Sequence, residues 1–67
     1  MVVPSYKKFS LLCDSSGISE AIISKKTEIP QSTFSDWKKG KSSPKIDKIW
    51  RISKFFNTCI EDLLEEI

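Results

Sequence analysis

Apolar residues in this chain recur at three- and four-residue spacings, and no stretch sustains an alternation of apolar and polar positions. That pattern predicts helices joined by short turns and no strands. Tyr6, Phe9, Leu12 and Cys13 form the first stripe. Ser5, just after Pro4, is placed to cap it, since a serine oxygen accepts from a free amide of the first turn. Asp14-Ser15-Ser16-Gly17 ends it, with Gly17 suited to a left-handed closing residue.

Ser19 caps a second helix, over about residues 19–26, with Ala21, Ile22 and Ile23 apolar and Lys25 and Lys26 at the negative end of its dipole. Pro30 fits the first turn of a third helix, where its missing N–H is no loss. Thr27-Glu28-Ile29 then becomes a tight turn, and the two helices form a helix-turn-helix. The third helix, over about residues 30–39, carries Phe34 and Trp37 on one side and Gln31, Ser32, Ser35 and Asp36 on the other. Gly40 ends it, and Lys41-Ser42-Ser43-Pro44 is a loop.

A fourth helix holds Ile46, Ile49, Trp50, Ile52, Phe55 and Phe56, a stripe wide enough for the central core element. Asn57 can stop it in the left-handed conformation, and Thr58 with Glu61 reads as a capping box for a fifth helix. Ile60, Leu63, Leu64 and Ile67 would line the inner side of that helix, as core or as a dimer surface. The helical spacing of Phe34, Trp37, Trp50, Phe55 and Phe56 assigns these aromatics to the core rather than to base stacking. The expectation is one all-α domain over residues 1–67.

Composition narrows the function. Sixty-seven residues, 39% hydrophobic and 30% charged with two glycines, suit one small ordered domain. Cys13 and Cys59 have no histidine anywhere in the chain to complete a zinc site, so free thiols and no metal or other cofactor are expected. Met1-Val2-Val3-Pro4, followed by Lys7 and Lys8, is too short for a signal peptide, and no apolar run approaches the ~20 residues of a membrane span. A cytoplasmic protein with no membrane partner is expected. Without a histidine, a carboxylate pair or a phosphate-cradling glycine loop, an enzyme acting on a small-molecule substrate is set aside.

Net charge is only +2, but its distribution is uneven. Residues 1–54 hold all eleven basic residues and five acids, giving +6, whereas residues 55–67 hold Glu61, Asp62, Glu65 and Glu66, giving −4. Such polarity suits a molecule with one face on an anionic partner.

From Gly17 to Leu64 the chain resembles the phage repressor and Cro family of helix-turn-helix domains, the XRE-type regulators. The resemblance rests on Gly17-Ile18-Ser19, on Ile29 through Trp37, on Lys39-Gly40-Lys41 followed by Pro44, and on Ile49 through Leu64. It implies a five-helix, lambda-repressor-like bundle that places the third helix in the major groove of double-stranded DNA. The implied function is sequence-specific binding of an operator as a homodimer, in a transcriptional repressor of phage or bacterial type. A protein-interaction adaptor or antitoxin built on the same bundle is the alternative.

Residue chemistry assigns roles within that picture. Gln31 can pair bidentately with adenine, and Ser32 and Ser35 can reach several bases or phosphates. Asp36 can accept from cytosine, reject wrong sequences, or pair with Lys39. Ser19, Thr33, Lys38, Lys39 and Lys41 are the candidates for phosphate contact; in the family, a lysine after the loop glycine is a frequent backbone contact. Three residues depart from the family pattern. Glu20 stands where glutamine often touches DNA, Ser24 replaces a small alanine at the helix crossing, and Glu28 occupies a turn position that favours glycine.

Overall fold

The computed structural model describes residues 1–67. A short strand, β1 (Val2–Pro4), precedes four helices: α1 (Tyr6–Ser16), α2 (Glu20–Thr27), α3 (Gln31–Lys38) and α4 (Ile46–Phe56). A single 3-10 turn (Ile60–Leu63) then leads into β2 (Leu64–Glu66).

The helix boundaries follow local chemistry. Ser5 Oγ accepts from the Lys8 amide at 3.2 Å, and Ser19 Oγ accepts from the Ile22 amide at 3.3 Å. Both caps supply an acceptor for an amide that has no partner in the first turn. Ser19 and Pro30 are themselves extended, with ψ of 158° and 143°, so α2 begins at Glu20 and α3 at Gln31, each one residue later than their spacing suggests. The α1, α2 and α4 helices stop on left-handed residues, Gly17 (φ 69°), Glu28 (φ 61°) and Asn57 (φ 53°). Gly40 (φ 76°) plays the same part just after α3.

The fifth helix does not form. Its first turn is 3-10, and beyond it the backbone extends to pair antiparallel with β1, setting Val2 opposite Glu66, Val3 opposite Glu65 and Pro4 opposite Leu64. The Ser5 amide donates to the Leu63 carbonyl and the Ile67 amide to the Met1 carbonyl, each at 2.8 Å. Strands of three residues are too short to display alternation, and their pairing is set by contacts across the whole chain length. The Thr58–Glu61 capping box is also absent. Thr58 donates its hydroxyl to the Asp62 carboxylate, and Cys59 sits in the cap position without a side-chain bond.

The core comprises Phe9, Ile23, Ile29, Phe34, Trp37, Ile49, Ile52 and Leu63. Phe9 stacks on Phe34 at 5.1 Å and lies 5.2 Å from Trp37, while Tyr6 meets Trp37 edge-on at 5.5 Å. Such aromatic packing supplies much of the burial open to so short a chain. Phe55 and Phe56 are half-buried against this core. Trp50 and Ile46, one turn apart on α4, are not part of it: they are 54% and 65% exposed. A broad apolar stripe is buried only where a neighbour covers it, and the end of α2 and the turn after it border the depression beside Trp50 with Lys26, Thr27 and Glu28 rather than with an apolar side chain. The Lys54 ammonium instead lies 5.5 Å from the Trp50 ring centre. No helix is long and apolar enough to cross a membrane.

Candidate nucleic-acid interface

The orientation of α3 is set by what it buries. Phe34 and Trp37, three residues apart, are fixed in the core, and at about 100° per residue this turns Ser32, Ser35 and Lys39 outward and sets Gln31 and Lys38 on the flank beside them. All five are exposed. No side chain of α3 is engaged in a hydrogen bond within the molecule; those bonds lie in α1, α2, α4 and the termini. The face is thus a convex ridge of free donors and acceptors, narrow enough for a groove roughly 12 Å wide.

Thr33 and Asp36 are half-buried at one border of the ridge. With Ser32 they form one wall of a polar depression of about 290 Å³, completed by Ser42, Ser43, Pro44, Lys45 and Lys48. Sequence reasoning overlooked Lys45 and Lys48. The available signal was the series Lys38, Lys39, Lys41, Lys45 and Lys48, which continues past the loop into the first turn of α4. Lys41 is placed by the end of α3: its amide donates to the Asp36 carbonyl at 2.9 Å and the Gly40 amide to the Trp37 carbonyl at 3.1 Å. These bonds close the helix and send the chain back past the ridge.

At the other side, α2 presents its N-terminus. Ser19 is exposed but spends its oxygen on the Ile22 amide, while its carbonyl takes the Ile23 amide at 3.1 Å. The amides of Glu20 and Ala21 are left for an outside acceptor, the arrangement that favours an anion at a helix start. Glu20 is half-buried and its carboxylate accepts the Tyr6 hydroxyl, which holds it against α1. Burial first, and the Glu20 carboxylate second, push the Tyr6 phenol well above its ordinary range. Burial, with Glu20 and Asp14 nearby, likewise pushes the Cys13 thiol up to about 11. Both cysteines are free, and Cys13 is thereby poorly disposed to ionise. No group of three or more histidine, cysteine, aspartate or glutamate side chains is placed to hold a metal ion.

The turn between α2 and α3 keeps the two helices at a fixed angle. Glu28 takes the left-handed conformation that glycine adopts without cost, and Ser24 donates its hydroxyl to the Ile29 carbonyl across the turn. Thr27 adds a 2.6 Å bond to the Ile23 carbonyl, and Ile29 is fully buried. Two short helices, a three-residue turn and an exposed polar second helix together make a DNA-reading unit.

Comparison with known proteins agrees. No curated protein matches the chain. A family model described as the Cro/C1-type HTH DNA-binding domain matches residues 8–67, which take in all four helices but for the first residues of α1, and the whole interface just described. On that match the chain belongs to the Cro/C1-type helix-turn-helix family of DNA-binding domains.

Proposed function

We propose that this DNA-binding domain is an operator-binding transcriptional repressor that engages double-stranded DNA as a homodimer, in the cytoplasm of a bacterial or phage-infected cell. The observation that carries the reading is the unpartnered polar ridge of α3, anchored from behind by Phe34 and Trp37 and bordered by lysines. Gln31 leads into the major groove and reads a base edge, with Ser32 and Ser35 beside it. Asp36, set back at the border, selects against sequences that place a phosphate or acceptor near it. Lys38, Lys39 and Lys41, with Thr33 and the polar depression at Lys45 and Lys48, clamp one backbone. Ser19 and the free amides after it face the other strand's phosphates.

Selection of bound duplexes from a random pool, followed by salt titration of the recovered sequence, tests the proposal. A palindromic site is expected. On it, Gln31→Ala loses about 1–3 kcal/mol and relaxes one base position, whereas Lys41→Ala weakens all sequences alike and flattens the salt dependence. If neither variant differs from the parent, the assignment fails. Exposed Trp50 favours a second reading, an adaptor that docks a protein partner. Recovery of no duplex at low salt would support it.

A further inference from the structure

The start of α2 carries a charge of the wrong sign for a surface that meets phosphates. Glu20 is the first residue of α2, directly after the Ser19 cap, and the amides of Glu20 and Ala21 leave the same turn without a partner in the molecule. A carboxylate at that position has two places to go. It can turn over the helix end, where the dipole and the free amides attract it, or it can turn aside. In the first position it would occupy those amides and repel an incoming phosphate. In the second it does neither.

The structure shows the second. The Tyr6 hydroxyl, from the first residue of α1, donates to the Glu20 carboxylate, and no other side chain is hydrogen-bonded to it. Tyr6 is itself fixed, with its ring 5.7 Å from Phe9 and edge-on to Trp37 at 5.5 Å. Trp37 also sets the phase of α3, so one aromatic cluster places both the reading ridge and the donor that restrains Glu20. Apart from this hydroxyl, α1 has little to hold a carboxylate. Behind burial, Glu20 and Asp14 both act to raise the Tyr6 phenol and the Cys13 thiol, so the two carboxylates share one neighbourhood. Like charges there repel, and a neutral donor is what keeps Glu20 on the α1 side.

We infer that Tyr6 is a positioning residue for DNA binding: its hydroxyl keeps the Glu20 carboxylate against α1 and so leaves the start of α2 open to a phosphate. Tyr6 acts through Glu20 rather than by touching DNA. The inference rests on the proposed placement of the α2 start at the DNA backbone.

A cycle of four proteins, the parent, Tyr6→Phe, Glu20→Gln and the double variant, tests it. Affinity for a short duplex of mixed sequence is measured at low and at moderate salt, since phosphate contacts need no particular bases. Tyr6→Phe keeps the ring and loses only the hydroxyl. It binds roughly 3- to 10-fold more weakly at low salt, the effect of one carboxylate released beside a phosphate, and the deficit narrows as salt screens the repulsion. Adding Glu20→Gln to Tyr6→Phe restores the affinity, whereas Glu20→Gln in the parent changes it by less than about 2-fold. Circular dichroism at the binding temperature shows equal helix content in all four. A deficit that came from lost folding would not narrow with salt.

Tyr6→Phe binding as tightly as the parent, or Glu20→Gln giving the same change in both backgrounds, overturns the inference. If Lys41→Ala weakens binding and Tyr6→Phe does not, the DNA reading stands and only the role of Tyr6 falls. A parent that binds no duplex at low salt overturns that reading and the role of Tyr6 with it.

Discussion

The hydroxyl of Ser24, on α2, donates to the carbonyl of Ile29 on the far side of the helix-turn-helix turn. A serine here would be a liability if its hydroxyl were buried without a partner. Instead it satisfies a carbonyl on a residue with no exposed surface. Ser24→Ala, though sterically harmless, leaves that acceptor unpaired and costs about 1–3 kcal/mol. Urea denaturation of the two proteins, with equal slopes and a lower midpoint for the variant, is the expected result. An unchanged midpoint would mean that the Ile29 carbonyl finds no benefit in the bond.

Glu28 and Asn57 both hold positive φ, at 61° and 53°, but they do not bear it equally. Asparagine tolerates the left-handed region, whereas glutamate suffers the clash of its Cβ with the backbone. Glu28→Gly is therefore expected to stabilise the domain by about 1 kcal/mol, a rise of roughly 4–8 °C in Tm for a chain of this size. Asn57→Gly gains less than half as much. Thermal denaturation of the pair decides it, and equal gains would show that residue type at the turn carries no strain.

These positions were legible in the sequence because their determinants are local. Ser5, Ser19, Gly17, Gly40 and Asn57 each act within a few residues of themselves, and each appears where its chemistry demands. The outward face of α3 was legible for the same reason, since Phe34 and Trp37 set its phase. What escaped depends on residues far apart in the chain. Leu64, Glu65 and Glu66 carry no strand signal of their own; they are extended because Val2 through Pro4 lie beside them. Lys45 and Lys48 join the α3 border only through the path of the loop before α4. Trp50 and Ile46 belong to a helical stripe whose outer members no other element covers.

The two tryptophans, Trp37 at 5% and Trp50 at 54% exposure, offer separate optical reports on this difference. Trp50→Phe should leave a single buried emitter, with a blue-shifted maximum and weak quenching by acrylamide. Trp37→Phe should leave a red-shifted, readily quenched emitter and also lose stability, because it hollows the cluster around Phe9. Similar quenching of the two variants would place Trp50 in a protected environment, either in the core or under a partner.

Tyr6 is the only tyrosine, so its ionisation can be followed without ambiguity by phenolate absorbance. Its pKa is raised in the folded state, chiefly by burial and then by the bond to Glu20. A raised pKa on an acid that is neutral when protonated means the folded state holds that proton more tightly than the unfolded one. The resulting stability is fully present below the unfolded value of about 10 and is lost as the pH rises above it. Comparison with Tyr6→Phe isolates this contribution from the lysines that deprotonate in the same range: the parent should lose stability above about pH 10 more steeply than the variant. Glu20→Gln removes the charge but keeps an acceptor, so the phenol should titrate at lower pH than in the parent while staying above its ordinary range. A phenol that titrates identically in the parent and in Glu20→Gln would show that Glu20 is not held against Tyr6, and that its carboxylate is free to turn towards the DNA-facing surface at the start of α2.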